Sequence, residues 1–156
     1  MEEKLTIQDK SIYAHFSQII PVTLEVAWEG LLDTTQWFPQ IKVEDLSLAG
    51  YMTFTMPETI IRMPILEYEP YRVLSYEWST GRVRFELVPV AGGTRLDFLD
   101  VLPQSFPHRA RDITGWSITL KRLRASLLGE KLDYDMKEHE IKQKKYQKQI
   151  DALVQK

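Results

Sequence analysis

RVLSYEWSTGRVRFELVPVAGGTRLDFLDV, residues 72–101, is the stretch on which the fold turns. From Arg72 to Trp78 every second side chain is apolar, with Leu74, Tyr76 and Trp78 on one face and Glu77 on the other. Ser79-Thr80-Gly81 breaks the run. Arg82 to Pro89 alternates again, setting Val83, Phe85 and Leu87 against Arg82, Arg84 and Glu86. Gly92-Gly93 is a tight-turn pair, because glycine takes positive φ without a Cβ clash. Thr94 to Val101 closes the series, with Leu96 and Phe98 opposite Arg95 and Asp97. A period of two marks strands with one wet face and one covered face. Connections this short join antiparallel neighbours, since a parallel pair needs a long crossover. The stretch reads as three strands of an antiparallel meander.

The same period extends upstream. Ile41 to Leu48 and Tyr51 to Met56 are strands separated by Ala49-Gly50. Ile60 to Glu69 is a third, with Pro64 inside it, which predicts a bulge or a nearby edge. Ser11 to Ile20 is a half-buried strand that Pro21 ends. Thr23 is placed to cap a short helix carrying Leu24, Ala27, Trp28, Leu31 and Leu32, and a turn with Trp37 and Phe38 follows. Downstream, Ile113, Trp116, Leu120, Leu123 and Leu127 fall at spacings of 3, 4, 3 and 4, one face of a long helix. Asp112 or Thr114 is the expected cap and Gly129 the stop.

Beyond Glu130 the chain turns to Lys, Glu and Gln. It reads as a second, mostly solvated helix, supported by Glu138–Lys142 and Glu140–Lys144 pairs. Its thin stripe of Tyr146, Ile150, Leu153 and Val154 either docks on its own domain or pairs with a second chain. The expected organisation is one domain over residues 1–130 and a charged helical extension over 131–156.

Composition narrows the function. The 156 residues are 44% hydrophobic and 27% charged, a globular balance. Lys plus Arg number 20 against 22 Asp plus Glu, so the net charge of −2 gives no pull towards nucleic acid. The lysines of the tail are interleaved with acids, which also argues against a nucleic-acid partner. No run approaches the roughly 20 apolar residues of a membrane span. With no cysteine there is no disulfide, no thiolate nucleophile and no cysteine zinc site, which fits a cytoplasmic protein. His15, His108 and His139 lack metal-ligand spacing, and neither a nucleophile elbow nor a phosphate loop is present. No metal or cofactor is implied, and the chain announces no catalytic site.

Strand, short helix, meander and long C-terminal helix is the order of an α+β helix-grip fold, a curved antiparallel sheet wrapped around one helix. One helix does not fill so wide a concave face, so a cavity is expected. The motifs resemble those of the START-like (SRPBCC, Bet v-like) superfamily, and within it the domain named after the activator of the heat-shock protein 90 ATPase. Pro21 through Glu25, Trp28, Leu31 and Asp33 resemble its first helix, and Trp37-Phe38-Pro39 the Trp element that follows. Ala49-Gly50 falls at its Gly-Gly turn. Leu66 through Pro70 with Leu74, Tyr76 and Trp78 resemble its central hairpin. Gly93-Thr94-Arg95-Leu96 matches its Gly-Thr-x-Leu signature, and Gly115-Trp116 with Leu120, Leu123 and Leu127 its last helix. The resemblance spans about residues 10 to 130. It implies a protein that binds a small hydrophobic molecule in an internal cavity. It also leaves a cyclase or dehydratase working in the same cavity, and an interaction module acting on the chaperone.

Alternation points Phe54, Met56, Tyr76, Trp78, Phe85 and Phe98 at the long helix, which answers with Trp116, Leu120 and Leu123. They either fill a core or line a ligand cavity. Tyr76, Trp78 and Trp116 are the best cavity candidates, each a broad apolar surface with one polar tip. Asp100 shares parity with Leu96 and Phe98. It either faces inward, where burial raises its pKa and suits it to be an acid or ligand anchor, or is solvated at the strand end. Glu67 and Arg84 have no assigned direction. His108, Arg109 and Arg111, ahead of the long helix, either border the cavity mouth or lie in a solvated loop.

Overall fold

A computed structural model describes residues 1–155 of the chain. The strands are β1 (Glu2–Gln8), β2 (Ser11–Ile20), β3 (Ile41–Asp45), β4 (Tyr51–Thr55), β5 (Ile60–Glu69), β6 (Val73–Trp78), β7 (Gly81–Val90) and β8 (Gly93–Leu102). Helix α1 (Leu24–Leu32) and a single 3-10 turn (Thr34–Gln36) link β2 to β3, and α2 (Arg109–Leu127) and α3 (Met136–Val154) follow β8. The sheet is antiparallel throughout, in the order β1-β2-β8-β7-β6-β5-β4-β3. From β3 to β8 each strand therefore pairs with its sequence neighbour. The β2–β8 ladder alone joins distant segments, setting Phe16 opposite Phe98 and Ala14 opposite Asp100.

The buried parity is the one the alternation predicts. Tyr76, Val83, Phe85, Leu87, Leu96 and Phe98 are all buried and meet Ile113, Trp116, Leu120 and Leu123 of α2. Thr23 caps α1, its hydroxyl accepting from the Val26 N–H at 3.2 Å. Pro64 lies where β5 changes partners. Ile60 through Pro64 pair with β4, and the ladder to β6 starts at Ile65, with a register shift before Glu67. The missing N–H of Pro64 therefore falls at a seam between two ladders.

Four expectations change. Residues 2–8 carry no element in the sequence reading, yet they form β1, in register with β2 from Glu2–Ser17 to Gln8–Ser11. Only Leu5 and Ile7 are aliphatic there, and the hairpin turns on Asp9-Lys10, both at positive φ (50° and 67°) without a glycine to signal it. Strand β3 stops at Asp45 instead of Leu48, because the ladder to β4 shifts register between Val43 and Asp45. Helix α2 starts at Arg109, behind His108 at φ 56°, so Asp112 and Thr114 lie inside it and are not its caps. Arg109 and Arg111 are likewise in its first turn. Thr114 instead donates back to the Ala110 carbonyl at 2.7 Å. Gly129, at φ 74°, does end α2, with the Glu130 N–H returning to the Ala125 carbonyl.

The fourth concerns α3, which is not merely solvated. Tyr146 and Ile150 are buried in the chain's own core, and Phe16 meets the Tyr146 ring edge-on at 6.5 Å. The Tyr146 hydroxyl donates to Glu3 Oε2 at 2.8 Å and lies within hydrogen-bond distance of Ser117 Oγ at 3.3 Å, which joins α3 to β1 and α2. Of the foreseen i,i+4 pairs, neither is formed. Glu138 takes Lys121 across the helix pair at 2.7 Å, and Lys142 donates to Ser117 Oγ at 2.7 Å. Facing α2, these side chains find partners on another element closer than the next turn of their own.

Candidate functional site

The N-terminal half of α2 stands off the outer strands and leaves a cavity of about 920 Å³ between them. Phe54 of β4, Ile61 and Met63 of β5 and Trp78 at the end of β6 form one wall. Asp112, Gly115, Trp116, Thr119 and Arg122 of α2 form the opposite one. Phe38 and Gln40 close the floor from the loop before β3, while Phe106, Pro107 and His108 border the β8–α2 loop. Tyr134 and His139, from the start of the C-terminal extension, complete the rim.

The interior is aromatic. The Phe38 ring lies 5.9 Å from Phe54, 6.1 Å from Trp78 and 5.4 Å from Trp116, each edge-on. Trp78 and Trp116 meet at 5.1 Å. Behind them Trp116 packs on Phe98 at 4.8 Å and Phe85 at 5.9 Å, so the cavity wall continues into the core. Edge-to-face rings are rigid and present both π faces and positive edges to a guest.

Two carboxyl groups meet behind this wall. Asp100 is wholly buried, flanked in the sheet by Ala14 and Val83, and neither of its oxygens has a hydrogen-bond donor. Asp112 Oδ1 accepts from the Trp78 indole at 2.7 Å, whereas its Oδ2 is buried without a donor. Two ionised groups in this position would leave three orphan oxygens and two charges with no ion-pair partner among the described residues. A single proton between them removes the conflict. Burial pushes the Asp100 carboxyl well above the usual range, and the neighbouring Asp112 charge pushes it further. Burial raises Asp112 as well, opposed by its bonds to Asp100 and Trp78 and by the Arg111 charge. Both carboxyls are thus raised, Asp100 the more strongly, and Asp112 is the member of the pair that reaches the cavity.

The rim is polar. The Tyr134 hydroxyl and His139 Nδ1 are hydrogen-bonded at 2.6 Å, and His139 Nε2 meets Gln143 Oε1 at 2.9 Å. Arg122 donates through Nε to the Leu132 carbonyl at 3.1 Å, which pins the α2–α3 connection against the opening. The Trp116 indole N–H, buried at the wall, has no acceptor among the described residues.

Of the side chains named from sequence, Phe54, Met56, Trp78 and Trp116 line this cavity. Tyr76, Phe85, Phe98, Leu120 and Leu123 do not. They sit further along the sheet and α2, where helix and strands touch and no space is left. Burial there pushes the Tyr76 phenol up. Asp100 faces inward but lies behind Asp112. Arg109 points away, donating to the Lys10 carbonyl at 2.9 Å, whereas His108 and Arg111 do border the mouth. Glu67 and Arg84 pair with each other at 2.9 Å, away from the cavity. The sequence reading missed Phe38, Met63, Thr119, Arg122, Tyr134 and His139, and took Asp112 for a cap. One signal was available for Asp112. It stands four residues before Trp116, on the same face of α2.

Among the described residues, no helix is long and apolar enough to cross a membrane, and no group of three or more His, Cys, Asp or Glu is placed to hold a metal ion. An eight-stranded antiparallel sheet curved about one long helix, with a cavity between them, defines an α+β protein of the helix-grip class. Solved structures share it. A conserved protein of unknown function from Enterococcus faecalis superposes with a TM-score of 0.87 at 27% identity, over 97% of this chain and 92% of its own. CalU16 from Micromonospora echinospora has a TM-score of 0.68 at 19% identity, over 99% of this chain and 98% of its own. The Aha1 dimer from Colwellia psychrerythraea has 0.62 at 14%, over 74% and 95%. These likenesses show the fold. No protein-family model matches the chain, and no curated protein does either.

Proposed function

We propose that the protein is a cytoplasmic binder of a small, largely hydrophobic molecule, taken into the cavity between α2 and the outer strands. The observation that carries this reading is the cavity itself. At about 920 Å³, walled by Phe38, Phe54, Trp78 and Trp116, it has the size and lining of a small-molecule site. The lack of cysteine supports the cytoplasm as the place of action. Residues 1–130 supply most of the wall and the 131–156 extension the remaining rim. If α3 also pairs two copies, it does so through the exposed Ile141 and Val154, because Tyr146 and Ile150 are occupied within the chain.

Native mass spectrometry of freshly purified protein tests the reading. A reproducible extra mass on the folded chain, lost on denaturation, is expected. Gly115→Leu offers a check by steric fill. A Cβ at Gly115 meets nothing nearer than the Tyr134 hydroxyl at 3.8 Å, so the longer side chain grows into open cavity. A folded Gly115→Leu variant that keeps the adduct undiminished overturns the assignment.

A second reading has its own observation. The Asp100–Asp112 pair is a shared-proton acid at a cavity wall, the equipment of general acid–base catalysis in a cyclase or dehydratase. Asp112→Asn tests it. An enzyme so equipped keeps its ligand but no longer alters it, whereas a simple binder shows the same bound mass with either residue. The chaperone reading has only the fold likeness to the Aha1 dimer behind it, and no surface feature favours it.

A further inference from the structure

The charges around the cavity are one-sided. Arg111 and Arg122 stand on one face of α2, eleven residues and three turns apart, and both line the cavity. Neither guanidinium has a carboxylate within ion-pair distance among the described residues, although nine such pairs form elsewhere, eight of them with lysine or arginine. Arg122 uses Nε for the Leu132 carbonyl, which leaves the remainder of its fork free. His108 and His139 add two imidazole rings to the same rim. The one carboxyl at the cavity, Asp112, is bonded to the Trp78 indole and turned towards Asp100; it feels the Arg111 charge but forms no ion pair with it.

We propose that the ligand is an aromatic anion, a flat apolar body bearing one carboxylate, sulfonate or phosphate, with its ring system among Phe38, Trp78 and Trp116 and its charge on Arg111 or Arg122. The inference rests on the cavity reading above and adds the sign and shape of the guest. A guanidinium beside an apolar cavity is poorly hydrated and presents paired N–H donors that match such a group. Aromatic walls favour a flat guest over a flexible chain, which loses more freedom on binding.

A matched pair of dyes separates this inference from the reading beneath it. Anilinonaphthalene sulfonate and neutral phenylnaphthylamine share one skeleton, and both brighten on entering an apolar site. The sulfonate is expected to bind the full-length protein at least about tenfold more tightly, the worth of one charge-assisted contact. Its affinity should fall with added salt, and Arg111→Gln or Arg122→Gln should erase most of the advantage, weakening the sulfonate far more than the neutral dye. Equal affinities, with neither substitution mattering, overturn the anion and leave the cavity standing. Exclusion of both dyes by the folded protein overturns the cavity and the anion together.

Discussion

The indole of Trp78, at the last residue of β6, donates to Asp112, in the first turn of α2, at 2.7 Å. This is the side-chain bond that ties sheet to helix at the cavity, and it selects which Asp112 oxygen remains for Asp100. Replacing Trp78 by Phe keeps a ring against Phe54 and Trp116 but removes the donor. The loss should cost about 1–3 kcal/mol, because a buried acceptor is left bare. A double-mutant cycle with Asp112→Ala, read by urea denaturation, separates the bond from lost ring volume. A coupling above about 1 kcal/mol is expected, and one near zero would dismiss the bond as a contributor.

Asp100 makes stability depend on pH in an unusual sense. Its folded-state pKa lies above the unfolded value of about 3.9. The contribution is therefore fully present below that value and is lost as pH rises through the raised one. Asp112, also raised, adds in the same direction. Asp100→Asn is neutral at every pH, and its amide can donate to Asp112. Urea midpoints of wild type and variant should lie close together near pH 4 and separate in favour of the variant towards pH 8. A gap that does not change with pH would show that Asp100 is not the titrating group.

The β7–β8 turn distinguishes two kinds of glycine. Gly92 has φ 88° and nothing within 4 Å of where a Cβ would stand. Gly93 has φ 145°, and a Cβ there would fall 2.1 Å from the Ile20 carbonyl oxygen. Gly92→Ala should cost about 1 kcal/mol of backbone strain. Gly93→Ala must also move β2 away from β8, and should cost at least about 2 kcal/mol more. Equal thermal midpoints for the two variants would refute the close approach.

Helix α3 should behave as part of the core. Tyr146→Ala removes a wholly buried ring and two hydroxyl bonds, an expected loss of about 3–5 kcal/mol by chemical denaturation. Tyr146→Phe keeps the ring, and should lose about 1–2 kcal/mol through Glu3, whose carboxylate also bonds Lys145. Removal of residues 131–156 with no loss of stability would contradict the packing described here.

The meander was legible because its alternation is strict. Eight of its inward side chains, from Leu74 to Phe98, keep parity across two hairpins, and slipping by one residue would turn all of them outward. Strand β1 was not, since Leu5 and Ile7 alone carry its buried face and the ladder to β2 and contacts with α3 do the rest. The site was legible by half. Alternation says that Phe85 and Trp78 face the helix, but not that α2 closes fully on the sheet at Phe85 and leaves room for a cavity beside Trp78. That separation depends on the angle of the helix, to which periodicity is blind. Tyr134 and His139 reach the rim only because α3 folds back along α2, and nothing local to them announces it.

The order of strands carries a consequence for how the chain acquires this shape. Strands β3 to β8 pair in succession, whereas β2 waits for β8, about eighty positions downstream. On a growing polypeptide the first hairpin therefore emerges with one apolar edge unclaimed, and must remain so until Thr94 and its successors have left the ribosome. The β2–β8 seam brings Phe16 to Phe98 and Ala14 beside the Asp100 carboxyl. Asp100 is open to water while β2 is away and is taken out of it when β2 docks.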